Sequence, residues 1–256
     1  MTNKEKVSAA EVVKQARSDN KTDSRVMIKQ LLTDFREFHG DRNSADDPAI
    51  IGGIGRLLDR PVTLISTQKG HDVENRLATH FGSPEPWGYR KAIRLMKQAE
   101  LFCRPVVTLI NTPGAFPGMD AEKAGQGEAI ASCISTMMNL KVPVISLIFG
   151  EGGSGGALAL ASSDRVWMTE HSEYAVLSPE GFASILWKDA KRSSEAAEVM
   201  GLTPAALLDA GVVEQILPEP LDLVGLRQQL FSAFNELFAL TPDALVEQRY
   251  QRFRKF

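Results

Sequence analysis

Five glycines fall within seven residues, Gly150 to Gly156 (GEGGSGG), directly before the apolar run ALAL. Three chemistries fit such a stretch. Gly152, Ser154 and Gly156 satisfy G-x-S-x-G, in which a strand-to-helix turn exposes a serine nucleophile. That nucleophile needs a base and an orienting acid. Of the four histidines only His171 lies downstream of Ser154, with Asp164 or Glu170 placed to orient it. The helix after a nucleophile elbow is normally longer, and glycine neighbours leave the serine rotamer unfixed. Gly150, Gly152 and Gly155 satisfy the dinucleotide pattern G-x-G-x-x-G, and Glu170 follows 20 residues after Gly150. The helix behind the turn has room for about two turns, whereas a parallel crossover takes about a dozen residues or more. The third chemistry uses no side chain. The first amides of a helix have no intrahelical partner, and their dipole favours negative charge. Backbone stripped to glycine lets a reacting group approach those amides, each worth about 2.7–4 kcal/mol toward an oxyanion in a dry site.

A second turn offers the same service. In TPGAFPG, Pro113 and Pro117 stiffen the loop and donate nothing, which leaves the amides of Gly114 and Ala115 to point inward. Two such turns at neighbouring strand ends frame one crevice, the usual ligand position in an open α/β sheet.

Positioning these turns requires strands before them and a buried helix behind. Three segments supply the strands: RPVTLIS (Arg60 to Ser66), RPVVTLIN (Arg104 to Asn111) and VPVISLIF (Val142 to Phe149). Each is a proline followed by an apolar, β-branched run. Proline suits a first strand position, and runs apolar on both faces predict buried parallel strands. The prolines at 61, 105 and 143 are spaced by 44 and 38 residues, which predicts stacked supersecondary units. Helical periodicity runs from about Gly88 to Phe102, with Arg90, Lys91, Arg94 and Lys97 off the apolar face. Those four read first as a solvated face and second as contacts for phosphates or a partner. A helix from Ala121 to Asn139 follows, with Asp120 as N-cap, and GGALALASS predicts a short buried helix. An early strand, Ile50 to Leu57, pairs with its successor across a short turn; RVWMT, YAVLS and VVEQIL read as later strands. Further helices are expected near 179–186, 189–200, 204–210, 221–240 and 242–253. The organisation expected is one α/β domain of repeated β-β-α units over 31–220, with a polar N-terminal helical extension (1–30) and a C-terminal one (221–256).

Composition narrows the class further. Hydrophobic residues make up 43% and charged residues 24%, a globular balance, and the net charge of -3 gives no case for nucleic acid or an anionic membrane. No apolar run approaches a membrane span, and the first residues lack the apolar core of a signal peptide, so a cytoplasmic protein is expected. Cys103 and Cys133 form neither a metal-ligand spacing nor a disulfide framework, and no metal is expected.

The segments GSPEPWGYRKAIRLMKQAE, INTPGAFPG, AEKAGQGEAIA, IFGEGGSGGALAL and LSPEGFASILWKDA, in that order, resemble the carboxyltransferase alpha subunits of bacterial acetyl-coenzyme A carboxylase. EFHGDRNSADDPAIIGGIGRL upstream and VEQILPEPL downstream extend the likeness over roughly Leu32 to Leu221. The resemblance implies a crotonase-like superhelix of β-β-α units. It implies carboxyl transfer from carboxybiotin, carried on a biotin carboxyl carrier protein, to acetyl-coenzyme A, giving malonyl-coenzyme A for fatty acid synthesis. It implies a beta-subunit partner, typically in an alpha2beta2 assembly, with biotin carboxylase in the full complex. The base then comes from the cofactor, and the protein stabilises the ureido oxygen and the enolate and excludes water. On that basis the amides of Gly155, Gly156 and Ala157 are assigned to the ureido oxygen, with Gly114 and Ala115 as second contributors. Gly152, Gly153, Ser154, Gly155 and Gly156 form the carboxybiotin side, and Ser154 is a turn residue. The alternative is a serine hydrolase on the same fold, a Clp-type peptidase or acyl-coenzyme A thioesterase. The chain departs from the family pattern at Thr67 (usually His), Trp87 (Glu), Asn111 (Asp) and Ser44 (an aromatic residue).

Overall fold

The computed structural model describes residues 7–256. The first six residues of the expected N-terminal extension therefore lie outside the described residues. Two helices come first, α1 (Ala9–Ala16) and α2 (Ser24–Leu31), capped by Ser8 and Asp23 respectively. A mixed sheet follows in the order β1-β2-β3-β4-β5-β6-β8, built from β1 (Thr33–Glu37), β2 (Ile50–Leu57), β3 (Arg60–Thr67), β4 (Val106–Thr112), β5 (Val144–Gly153), β6 (Arg165–Thr169) and β8 (Gln215–Leu217). β7 (Glu173–Ala175) pairs off that path with the far end of β5. The first three strands are antiparallel, with β2 and β3 joined by a tight turn at Leu58, and the pairings from β3 onward are parallel.

Helices cover both faces, because the parallel strands are apolar on both sides. In β5, Val144 and Ile148 face one core with Tyr89, Leu95, Met96, Cys133 and Leu160, while Ile145, Leu147 and Phe149 face the other with Met27, Leu31, Leu230 and Phe234. The first core lies under α4 (Pro86–Leu101), α6 (Gln126–Asn139) and α7 (Ser154–Ala161). The second lies under α2 and α11 (Leu223–Phe238). The remaining helices are α3 (Val73–Ala78), α5 (Met119–Lys123), α8 (Pro179–Trp187), α9 (Ser193–Val199), α10 (Pro204–Asp209) and α12 (Pro242–Phe253).

Three sequence expectations need correction. The helix expected from Ala121 to Asn139 breaks at Gly125, whose φ of 86° lies in the left-handed region that glycine tolerates. Asp120 is not its N-cap: α5 begins at Met119 behind Gly118, which places Asp120 in the first turn. β5 does not stop at Phe149 but continues through Gly153, because Gly152 pairs with both Thr112 and Tyr174. The glycine stretch is thus half strand and half helix, with the reversal confined to Gly153 and Ser154.

Candidate active site

Four of the five glycines are required by the chain's own packing. A Cβ at Gly150 would overlap the Asn111 amide, and one at Gly153 would overlap the Pro113 carbonyl. A Cβ at Gly152 would sit 2.9 Å from the Glu173 oxygen, and one at Gly156 would sit 2.5 Å from the Ala115 nitrogen and 2.7 Å from the Tyr89 hydroxyl. These contacts press the two glycine turns together, as the stacked strand ends require. Gly155 is the exception. Its nearest neighbour would be Ile130 Cγ2 at 3.5 Å, an ordinary contact, and the position is half-exposed.

Helix α7 starts without a side-chain cap behind Gly153. Ala157, the fourth residue of α7, is fully buried behind the first turn, at the position whose amide an ideal helix start pairs with the carbonyl of the cap residue. The amides of Ser154, Gly155 and Gly156 occupy the first-turn positions that a helix leaves unpaired. No loop carbonyl accepts from Gly155 or Gly156 among the described residues. Ser154 adopts φ 55°, unusual for a residue with a Cβ, and its side chain lies at the surface. At the other end, the Leu160 carbonyl lies 2.7 Å from the Thr108 hydroxyl and 2.8 Å from that of Ser146. Two strand hydroxyls thereby anchor the helix whose start carries the site.

The second turn supplies less than its sequence promised. The Thr112 hydroxyl sits 3.0 Å from both the amide and the carbonyl of Gly114, and the Gly114 N–H donates to it. Gly114 is consequently engaged and is not an oxyanion donor; its φ of 135° makes it a conformational requirement instead. The Ala115 amide has no partner among the described residues and is the donor that remains on this turn. Phe116 fixes the loop, donating its amide to Pro84 and stacking on His80 with ring centroids 3.9 Å apart.

Two cavities flank the Gly153–Ser154 reversal. One, of about 250 Å³, is lined by Ser154, Gly155, Leu158, Tyr174, Val176 and Leu207 among others, so the free helix end opens onto an apolar cleft. The other, of about 270 Å³, is charged: Arg17, Glu151, Glu173 and Glu180 line it with Pro113 and Gly153. Burial pushes the Glu173 carboxyl up to about 7, against the pull of Arg17. This ionic cluster was not anticipated. Its members come from four separate elements, and the only trace in the sequence is a glutamate inside a glycine run.

Other expected residues fall elsewhere. Three of the four basic residues on α4 are used internally. Lys91 is buried against Asp46, Arg90 donates to the Ala124 carbonyl, and Arg94 donates to the Gly40 carbonyl. A freely solvated face, their first reading, does not hold for these three: Lys91 is buried, Arg90 and Arg94 are half-buried, and only Lys97 is exposed. Asp46 is held down to about 2, with Lys91, the Gly40 amide and His39 outweighing its desolvation. Thr67 and Asn111, two departures from the family pattern, form a polar ladder across the strand ends: the Asn111 amide donates to Thr67 Oγ1, and Asn111 Oδ1 accepts from the Glu151 amide. Ser178 of SPEG caps α8 by accepting from the Gly181 amide. Lys69, in the loop after β3, pairs with Glu151.

No triad assembles. His171 lies 3.5 Å from Glu219 and 4.0 Å from Glu170, while the cleft at Ser154 has no histidine among its described lining residues. Glu170, the acid that the dinucleotide pattern would need, accepts from the Glu219 amide. Among the described residues there is no cluster of His, Cys, Asp and Glu suited to a metal ion, and no helix long and apolar enough to cross a membrane.

Comparison with known proteins gives the family and the fold. The family described as "Acetyl co-enzyme A carboxylase carboxyltransferase-like" matches residues 2–256. The acetyl-coenzyme A carboxylase carboxyl transferase subunit alpha of Streptococcus equi subsp. zooepidemicus is 52% identical over 254 residues, covering 96% of this chain and 98% of that protein. The subunit of the same name from Streptococcus thermophilus is 52% identical over 252 residues, with the same coverage. Among solved structures, transcarboxylase 12S with methylmalonyl-coenzyme A and methylmalonic acid bound superposes with a TM-score of 0.73 at 20% identity, over 86% of this chain and 42% of that one. The beta subunit of P. aeruginosa geranyl-CoA carboxylase gives 0.68 at 17% identity, over 90% of this chain and 43% of that one. At such identities the likeness is one of fold, the crotonase-like α/β superhelix. By sequence along its whole length, this chain belongs to the carboxyltransferase alpha-subunit family of acetyl-coenzyme A carboxylase.

Proposed function

We propose that the chain is the alpha half of a carboxyltransferase that, with a beta subunit, moves a carboxyl group from carboxybiotin to acetyl-coenzyme A to give malonyl-coenzyme A. The observation that carries this reading is the uncapped start of α7, opening at Gly155 onto an apolar cleft. A donor set made of amides alone suits a ureido oxygen or an enolate, which gain negative charge during the reaction and need no proton from the protein. Carboxybiotin, when bound, supplies the carboxyl group and the basic ureido nitrogen.

The chain's own residues then have three tasks. Gly155 and Gly156 present amides along the helix dipole toward the oxygen that gains charge. Ala115, from the facing turn, adds a donor from a second direction. Leu158, Val176 and Leu207 line the cleft with apolar surface, which keeps water from the donors and strengthens every polar contact made there. A biotin carboxyl carrier protein as the donor's carrier, biotin carboxylase as the source of its charge, an alpha2beta2 assembly and a cytoplasmic setting belong to the same proposal. So does the division into a carboxyltransferase unit over residues 31–220 with helical extensions at 1–30 and 221–256.

The test is reconstitution. The chain mixed with a beta subunit and a carboxybiotin-charged carrier protein forms malonyl-coenzyme A, and either subunit alone forms essentially none. Malonyl-coenzyme A made at the same rate without a beta subunit, or none with it, overturns the proposal.

A further inference from the structure

We infer that Arg17, at the end of the N-terminal helix, is a positioning residue for the carboxyl-transfer site, holding together the β5–β7 strand pair from which α7 and its free amides are launched. The inference rests on the function proposed above. In the parallel β5–β7 pairing, Glu151 stands directly opposite Glu173, followed by Gly152 opposite Tyr174 and Gly153 opposite Ala175. Like charges directly opposite each other push strands apart, and this pair ends at the residue preceding α7.

Arg17 lies between the two glutamates. Its Nε is 3.3 Å from Glu151 Oε1 and 3.2 Å from Glu173 Oε1, and its Nη1 donates to Glu180 Oε1 at 2.8 Å. Glu180 sits in the first turn of α8, so one guanidinium ties α1, β5, β7 and α8 together. Lys69 supplies the other cation, on the far oxygen of Glu151. Three carboxylates thus face two cations, and Glu173 Oε2 is buried without a hydrogen-bond partner. The planar fork of Arg17 suits this geometry where a point charge would not. Helix α1 itself is held by a small apolar contact of Ala9 and Val13 with Ala197 and Leu202, which leaves Arg17 as its polar link to the site strand.

The experiment compares Arg17→Gln, Arg17→Lys and the double variant Arg17→Gln with Glu173→Gln. Each is assayed in the assembled alpha–beta enzyme across a pH series, and amide hydrogen exchange from Gly150 to Ala157 is followed on the whole chain. Arg17→Gln is expected to lower kcat/KM for the carboxybiotin donor about tenfold or more, the loss deepening as pH rises above about 7, because the variant lacks the cation that lowers the Glu173 carboxyl and Glu173 then ionises beside Glu151 and Glu180 with only Lys69 left to oppose them. Exchange at Gly152 to Gly156 quickens in the same variant. The double variant, which removes the opposing charge, recovers most of both, and Arg17→Lys falls between. An Arg17→Gln enzyme with unchanged pH profile and exchange overturns the inference. So does a double variant no better than the single one, since loss of helix docking alone is not repaired at Glu173. Should Arg17→Gln not fold, Arg17→Lys with and without Glu173→Gln makes the same comparison. Exchange is read without substrate, so it decides the role of Arg17 even if the reconstituted enzyme makes no malonyl-coenzyme A.

Discussion

The two ends of β5 are each held by an arginine from a distant helix, and the two are held differently. At the start of the strand, Arg249 of α12 is fully buried. It grips Asp164 through Nε and Nη2, both at 2.8 Å, and donates its remaining hydrogens to the carbonyls of Met137, Leu140 and Val142. Asp164 also accepts from the Val144 amide at 2.7 Å. Both partners of that pair are satisfied. At the end of the strand, Arg17 is shared among three carboxylates, remains partly exposed, and leaves a glutamate oxygen unpaired. The first arrangement fixes a strand and nothing more. The second lies beside the helix amides proposed to meet the substrate oxygen, and its incomplete pairing lets it respond to charge and pH. Full satisfaction marks the scaffold here, and shortage marks the site.

The largest effect should come from breaking the satisfied end. Arg249→Ala leaves the Asp164 carboxylate buried without its counter-charge, at a cost of about 3–5 kcal/mol. Denaturant unfolding should show a matching fall in midpoint, and Arg249→Ala with Asp164→Asn should be less damaged than the single variant. A single variant of undiminished stability would mean that the pair does not hold the C-terminal helix.

Next comes Gly155→Val. The site has room for a Cβ, so the fold should survive with stability within about 1 kcal/mol, while the branched side chain covers the helix end. Turnover should fall about 100-fold or more, in line with loss of an oxyanion donor. Gly156→Ala acts through packing instead, because its Cβ meets the Ala115 backbone, and should lower stability and turnover together. Circular dichroism melts beside kinetics separate the two. Equal behaviour of the two variants would collapse the distinction between the open glycine and the packed ones.

A smaller effect is expected from pH. Glu173 has its carboxyl raised from 4.5 to about 7, chiefly by burial. A raised acid stabilises the fold fully only below its unfolded value, and that contribution is lost as pH climbs through the folded one. Between about pH 4.5 and 7 the protein should therefore lose stability from this group, and Glu173→Gln should flatten that part of the curve. A curve of unchanged slope in the variant would show that Glu173 is ionised throughout. The smallest effect belongs to Ser154→Ala, expected to leave turnover within about threefold because no base engages the hydroxyl. Covalent labelling of Ser154 by a fluorophosphonate probe would reverse that expectation.

Much of the frame was legible because burial on both faces leaves a loud signal. The runs after Pro61, Pro105 and Pro143 became β3, β4 and β5, and the apolar GGALALASS became a buried helix. β1 was silent: TDFRE is an edge strand with no apolar alternation to find. The break at Gly125 leaves no signal of its own, because a single glycine inside a helical pattern is tolerated in most helices. At the site, the position of the free helix end could be read from glycine content and the apolar run behind it. Which amides were free could not be read. Thr112 takes the Gly114 amide, by a hydrogen bond that depends on where the strand ends.

Taken alone, the sequence determined that a parallel, doubly covered sheet would deliver two glycine turns to one place, because apolar periodicity and proline punctuation are local properties. It also determined the family, because several long motifs recur in order. Only the tertiary structure decided which glycines are demanded by the chain's own packing and which one is not, because a Cβ clash depends on the neighbour brought alongside. Only it brought Arg17, Lys69, Glu151, Glu173 and Glu180 together, because charge pairing across 82 to 163 residues leaves no pattern along the chain.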